Sequence, residues 1–310
     1  MQVSDAVEDF RFVLLKLSPG TQRWYLKRLE LFCSWCAEQG VELEHLKRKH
    51  LATYLDQLKT TPSKATGRIL SSHTVHGHAR ALRAFLNFCA KDEDLQHVLS
   101  SPAVKNVPMP RLEKKIIETL TDEQINAMFA ACDKEFLPHL VVRDRAILSV
   151  LLDTGIRASE LCGLTLDCVF LKQEDAHIRV HGKGDKWREV GLGAESRQAL
   201  HRYISRHRPK VKDIHVFIGR FHEPMQFDAL KQLLYRLRDL AGLEKSVRVN
   251  AHIWRHTYAM RYLKNGGDVY KLSRLMGHEH VGITELYLKA LRQRDARQTG
   301  ISVLDTFKGR

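Results

Sequence analysis

The chain has 310 residues, 44% of them hydrophobic, with a formal net charge of +14 and a pI of about 9.6. That length supports two domains with cores of their own, and that composition excludes wholesale disorder. A charge this positive predisposes the chain to a polyanion, nucleic acid above all. Residues 1–95 carry a net +3 and residues 96–310 a net +11, so most of the excess lies in the second part. Asp5, Glu8, Asp9 and Arg11 interrupt the first apolar residues, which argues against a secretory signal. The longest apolar run, around Ala146–Leu152, is too short for a bilayer. The expectation is a cytoplasmic protein whose six cysteines stay reduced.

Val3, Val7, Phe10, Val13, Leu14 and Leu17 recur at helical spacing, and Ser18-Pro19-Gly20 reads as the stop of that helix. A second helix is expected from Thr21 to Gln39, with Gly40 as its C-terminal cap. Cys33 and Cys36 form a CxxC inside its apolar pattern. Packing is the favoured reading, since no second Cys/His pair stands nearby at zinc spacing. A third helix spans about Lys47–Leu58, and a fourth, capped by Ser72, carries Val75, Ala79, Leu82, Phe85, Leu86 and Cys89. Together they make a four-helix bundle over residues 1–95. Its polar faces offer Lys47, Arg48 and Lys49 in one group and Arg80 and Arg83 in another, as first candidates for phosphate contacts.

Residues 96–118 hold Pro102, Pro108 and Pro110 with little periodicity, which reads as a linker. Thr121 to Gln124 then form a capping box that opens a second domain, residues 119–310. An apolar helix, Arg143–Asp153, ends at Thr154-Gly155. Arg157 and Glu160 follow, three apart and so on one helical face. Two strands, Ala176–His181 and Trp187–Leu192, flank a glycine-rich turn that presents Lys183. It lacks the spacing of a nucleotide-binding phosphate loop. Helices resume at Ala194–Arg206 and Gln226–Leu240. The fold class is mainly α: a helical bundle followed by a mixed α/β domain with a small antiparallel sheet.

The chemistry concentrates between Ala251 and Tyr287. His252 and Arg255 form a His-x-x-Arg motif, Gly277-His278 follows, and Tyr287 lies nine residues beyond that histidine. Two imidazoles, a guanidinium and a phenol suit a phosphodiester, which needs cations on its oxygens and an oxygen nucleophile. Each residue alone has a commoner structural explanation: a core histidine, a packed aromatic, a surface arginine, a solvated lysine. The other His-x-x-Arg, His45–Arg48, has no such partners and reads as surface.

The joint pattern over Thr119–Leu291 resembles the catalytic domain of tyrosine recombinases, the phage integrase family. Arg157 after Thr154-Gly155, Lys183 in its hairpin, His252 with Arg255, Gly277-His278 and Tyr287 stand in the family's order and spacing. Ala251, Trp254 and Met276 depart from the usual pattern at packing positions. The N-terminal bundle is similar, more weakly, to the family's core-binding domain. No arm-binding domain is expected ahead of it, as in compact Xer-type or Cre-type members.

The resemblance implies a DNA breaking-rejoining catalytic fold and a site-specific DNA recombinase acting through a 3′-phosphotyrosyl intermediate. Tyr287 would be the nucleophile, with Arg157, Arg255 and His278 on the phosphate. His252 would be the base, Lys183 the acid, and Glu160 a support from behind. No metal or other cofactor is implied. The partners implied are duplex DNA carrying recombination sites and further copies of the chain, a dimer and then a tetramer. The apolar residues Ile301, Val303, Leu304 and Phe307 of the tail would then dock on a neighbouring protomer, as such tails do in the family, the alternative being that they fold back on their own domain.

Three alternatives keep parts of the pattern. One is a type IB topoisomerase-like nicking and resealing enzyme, and another is a non-catalytic DNA-binding protein on the same fold. The third, a zinc hydrolase, would use His252–His256 and His278–His280, but it lacks the His-Glu-x-x-His arrangement and sets a metal beside arginines.

Overall fold

Pro19 opens a helix rather than closing one. It occupies the first turn of α2 (Pro19–Glu38), where its missing N–H costs nothing, and the Ser18 side chain caps that turn by accepting from the Thr21 N–H. The first helix, α1 (Val3–Leu14), therefore stops earlier than its apolar pattern suggested, and Val13 and Leu17 are exposed. Two further helices, α3 (Arg48–Thr60) and α4 (Ser72–Cys89), complete the bundle. The cap of α4 is Ser71 rather than Ser72, its hydroxyl accepting from the Thr74 N–H. Gly40 follows α2 at a φ of 62°, the left-handed position that the sequence gives a glycine for.

This is a computed structural model. It describes all residues except 63–66, 99–106, 113–116, 183–185 and 299–310, and the side chains of 292–298 are also left undescribed. The chain divides into two compact units, Met1–Lys115 and Ile116–Arg310. Phe10, Phe32, Leu82 and Phe85 lie in the core of the first. Val107 joins that core, so part of the segment expected as a free linker packs onto the first unit. Cys36 is buried there too, and burial pushes its thiol up to about 12 and that of Cys33 up to about 11. Neither is a reactive thiolate at neutral pH, which fits packing rather than redox work.

The second unit begins with α5 (Asp122–Cys132), whose capping box pairs Thr121 and Gln124 in both directions. Next come α6 (Pro138–Thr154) and the short α7 (Ala158–Cys162). A three-stranded antiparallel sheet follows in the order β1 (Val169–Phe170), β2 (His177–Gly182) and β3 (Lys186–Gly191). The strand β1 was not foreseen: two residues are too few for a period-2 signal. In β2 and β3 the register sets Arg188 opposite Val180. Arg188 thus shares the inner face of β3 with buried Val190.

The remaining helices are α8 (Ala194–Arg202), α9 (Phe227–Leu240), α10 (Ala251–Lys264), α11 (Val269–Met276) and α12 (Val281–Gln298). The expected helix to Arg206 changes to a π-helical turn over Tyr203–His207. Central to this unit is α10, which packs against α6, α11 and α12. Asn250 caps it, accepting from the N–H groups of His252 and Ile253. Trp254 is fully buried, edge-on to Phe129, with its indole N–H donating to the Val249 carbonyl at 3.1 Å. The unusual tryptophan is a packing residue with its one polar atom satisfied.

Candidate active site

Arg255 is 3% exposed on α10, one turn past the cap. Its guanidinium donates to the Gly155 carbonyl and to the Met276 carbonyl, each at 2.6 Å. Gly155 sits at a φ of 59° just after α6, with the Tyr258 ring lying where a Cβ would be. Only glycine serves there, which explains the Thr154-Gly155 step in the sequence. Burial lowers the Arg255 pKa to about 10, with neighbouring Arg157 adding to the effect, so the group stays cationic at neutral pH.

Three guanidiniums converge on the end of α11. Arg188 Nε donates to the Leu275 carbonyl at 2.7 Å, Arg255 to that of Met276, and Arg157 to that of Gly277 at 2.8 Å. A helix C-terminus leaves its last carbonyls unpaired and carries partial negative charge. Here these carbonyls seat three cations at fixed positions. Gly277 lies at a φ of 62°, and a Cβ there would come within 3.0 Å of Arg188. The glycine lets the arginine reach past the helix end.

Glu160 holds two of the three from the other side. Its carboxylate is 2% exposed and accepts from Arg157 Nη1 and the Arg157 backbone N–H, and from both terminal nitrogens of Arg188, at 2.7 or 2.8 Å. Burial alone would raise its pKa. The hydrogen bonds from Arg188 and Arg157 outweigh burial and bring the pKa down to about 2. The carboxylate's contribution to stability is therefore fully present above its ordinary value of 4.5 and is lost as pH falls towards about 2. Glu160→Gln keeps the shape but leaves two adjacent guanidiniums without their anion. A loss of about 3 kcal/mol is expected, as for breaking a buried pair, seen as a melting temperature lower by roughly 10 °C at pH 7. The gap between wild type and variant should narrow between pH 4.5 and 2. Equal melting temperatures at pH 7 would contradict this account.

Tyr287, on α12, is 3% exposed. Its hydroxyl lies 2.7 Å from His256 Nδ1, and its ring is parallel to that of His278 at 6.5 Å. Burial raises the phenol's pKa, while Arg255 pulls it down. His278 Nδ1 pairs with the hydroxyl of buried Thr284 at 2.7 Å, which leaves Nε2 as the ring's other polar atom. His252 sits edge-on to His256 with centroids 4.1 Å apart. All three imidazoles are held below the ordinary value by burial and then by neighbouring cationic or imidazole groups; His256 and His278 fall to about 4. At neutral pH they are uncharged and can accept protons or hydrogen bonds.

Of the residues expected from the sequence, Arg157 pairs with Glu160, Arg157 and Arg255 donate to the adjacent carbonyls of Gly277 and Met276, and His278, next in the chain, lies parallel to Tyr287; His252 borders this group through His256. Lys183 lies outside the described residues. The root of its hairpin adjoins the site, since a Cβ on Gly182 would stand 3.6 Å from Glu160 Oε1. The tail residues Ile301, Val303, Leu304 and Phe307 also lie outside the described residues. In the first unit Lys47, Arg48, Lys49, Arg80 and Arg83 are all exposed, with the Arg80 guanidinium 5.6 Å over the Trp24 ring.

Two members of the site were not foreseen. Arg188 reads in sequence as one more charge in a strand, although its i+2 relation to Val190 marks it as inward-facing. His256 appeared only as the i+4 neighbour of His252, and nothing in the sequence ties it to a tyrosine 31 residues away.

The phage integrase family model matches residues 118–294, more than half of the chain, and the family's N-terminal SAM-like domain matches residues 13–69. The chain belongs to the phage integrase family. A tyrosine recombinase XerD of Xanthomonas campestris pv. campestris is 30% identical to it, over 87% of this chain and 81% of that one. A tyrosine recombinase XerC of Bacillus pumilus is 28% identical, over 85% and 83%. Among solved structures, the XerH site-specific recombinase bound to palindromic difH substrate superposes with a TM-score of 0.72. It covers 91% of this chain and 79% of that one, at 20% identity, a likeness of fold. The integrase-family chain is an enzyme, a Xer-type tyrosine site-specific recombinase. These relatives do not favour the topoisomerase-like or non-catalytic readings.

Proposed function

We propose that this recombinase cleaves duplex DNA at paired recombination sites with Tyr287, holding the broken strand as a 3′-phosphotyrosyl ester before strand exchange. The observation that carries the reading is the seating of Arg157 and Arg255 on adjacent carbonyls of one helix end, in the same site as the buried phenol. Two guanidiniums so placed bind the non-bridging oxygens of one phosphate, where negative charge grows during attack. His278 adds a donor through Nε2. Lys183 protonates the departing 5′-oxygen, and His252 belongs to the acid–base group beside the phenol. Glu160 and Arg188 hold Arg157 in place rather than touching the phosphate. The ester conserves the energy of the broken bond, so no nucleotide is consumed.

In this proposal the first unit grips the DNA backbone, with Lys47, Arg48, Lys49, Arg80 and Arg83 as phosphate contacts. The XerH and lambda integrase structures contain DNA, the latter as a dimer on a core site, which supports a duplex partner and self-association here. No described helix is long and apolar enough to cross a membrane. In the same proposal the work on DNA takes place in the cytoplasm. A tetramer on DNA completes the proposal, because exchange between two sites needs four nucleophiles.

The test is covalent capture from a pool of nicked duplexes with randomised sequence. Denaturation-resistant complexes are isolated, their DNA sequenced, and the protein digested for mass spectrometry. The expected product is a nucleotide adduct on the peptide containing Tyr287, on DNA that shares inverted repeats. An adduct on any other residue would overturn the assignment.

A further inference from the structure

The hydroxyl that becomes the nucleophile already has a partner. Tyr287 is buried, and its oxygen lies 2.7 Å from His256 Nδ1, within the range of a good hydrogen bond. Resting on the assignment of Tyr287 as nucleophile, we infer that His256 is a catalytic residue that takes the phenolic proton as Tyr287 attacks.

The argument is geometric first. General-base transfer needs a heavy-atom separation of about 2.6–3.2 Å, and His256 meets that without any movement. Both residues sit on helices that pack together, α10 and α12. His252, the base that the family pattern points to, instead meets His256 edge-on at 4.1 Å between centroids. The two histidines stand at i and i+4 on one face of α10, with His256 nearer the tyrosine.

Electrostatics then sets the timing. In the free protein His256 is neutral because burial, His252 and Arg255 all disfavour its charged form. A neutral imidazole has one lone pair to offer. A bound phosphodiester brings a negative charge to the arginines, offsets their field, and makes the imidazolium easier to form. The base is then strengthened by the arrival of substrate rather than before it.

The step balances. The Tyr287 O–H bond breaks with its electron pair staying on oxygen, and the proton forms an N–H bond on His256 Nδ1. That oxygen bonds to phosphorus while the bond from phosphorus to the 5′-oxygen breaks, and the leaving oxygen takes a proton from Lys183. On rejoining, a 5′-hydroxyl gives its proton back to the neutral Lys183 as its oxygen bonds to phosphorus, the bond from phosphorus to the Tyr287 oxygen breaks, and His256 returns its proton to that oxygen. One imidazole serves both directions.

The experiment uses full-length chain and a nicked duplex of the captured sequence, made with either oxygen or sulfur bridging phosphorus to the 5′-carbon. A thiolate leaves without a proton, so sulfur relieves defects in the acid and not in the base. His256→Asn keeps a polar atom near the Nδ1 position but cannot take a proton. It is expected to slow single-turnover cleavage of both duplexes by about 10²–10³-fold at pH 7, typical of a lost general base. The deficit should shrink as pH rises and the phenol ionises unaided, with DNA binding unchanged. Wild-type rates for His256→Asn, or rescue of that variant by sulfur, would overturn the inference. So would this signature appearing in His252→Asn and not in His256→Asn. Nitrogen-15 histidine spectra of the wild-type chain give a second readout that survives misfolding of the variant: an unprotonated Nδ1 on His256 is expected, and a protonated one refutes the transfer. Tyr287→Phe runs alongside. If it still forms the covalent complex, the nucleophile is wrongly assigned; if it is inert while His256→Asn is unimpaired, only the role of His256 falls.

Discussion

If Tyr287 is the nucleophile proposed above, Tyr287→Phe is expected to abolish covalent capture on a nicked duplex while leaving the chain folded and bound to DNA. The substitution removes one oxygen and no carbon, so the packing of the buried ring against α10 and α11 is unchanged. What is lost is the bond to His256, a single contact at the partly buried edge of the site. The cost is of order 1 kcal/mol, a fall of only a few degrees in melting temperature for a unit of this size. The loss of chemistry is of another scale. No other described phenol or hydroxyl stands against His256, and without an oxygen nucleophile no ester forms. Denaturing gels read the covalent complex and band shifts in the same samples read binding. A variant that still yields the denaturation-resistant complex would remove Tyr287 from the mechanism.

The difference between these two scales follows from how the site is built. Cations are anchored by carbonyls and by one buried carboxylate, so their positions do not depend on the tyrosine. Leu275, Met276 and Gly277 offer three carbonyls in succession, and Arg188, Arg255 and Arg157 each take one. Glu160 accepts three further hydrogen bonds from two of these guanidiniums and a fourth from the Arg157 backbone N–H. Repulsion among like charges is countered before any phosphate arrives. On the proposed mechanism, the cations that would meet the transition state are thereby preorganised, and little reorganisation would remain for the reaction itself.

This construction also explains which parts were legible in the sequence. Arg157, Glu160, Arg255, His278 and Tyr287 were picked out together by an order and spacing that resemble the family's pattern; the i+3 relation of Arg157 to Glu160 and the glycine steps are only the local part of that signal. The capping box at Thr121 and the glycines at 40 and 155 were equally local. Arg188 enters the site through sheet register and His256 through the packing of α10 on α12, and register and helix packing are tertiary facts that no spacing rule contains. The end of α1 was misjudged for a related reason: Pro19 reads as a breaker, while the Ser18 cap makes it a starter. Val107 lay in a proline-rich stretch without periodicity, so nothing in its neighbours announced that it would be buried.

Arg255→Lys is expected to cut cleavage by about 10²–10³-fold, as for loss of one preorganised donor to the transition state, and to destabilise the chain as well. The two substitutable cations are not equivalent here. The guanidinium engages the Gly155 and Met276 carbonyls with two nitrogens and keeps further N–H groups for a phosphate oxygen. A single ammonium cannot reach both carbonyls and the phosphate together, so at least one buried carbonyl loses its partner, at about 1–3 kcal/mol. Burial and Arg157 already lower the arginine to about 10, and the same surroundings act on a lysine that starts near 10.4. The replacement therefore holds its proton less firmly while also reaching less far. Raising the pH from 7 to 9 should widen the deficit, because the lysine discharges while wild-type Arg255 remains largely protonated. Single-turnover cleavage of prebound duplex at several pH values, at a temperature where melting curves show both proteins folded, separates the two effects. A cleavage ratio that stays flat from pH 7 to 9 would remove lysine discharge from this account, and a ratio near one would remove Arg255 from the transition state.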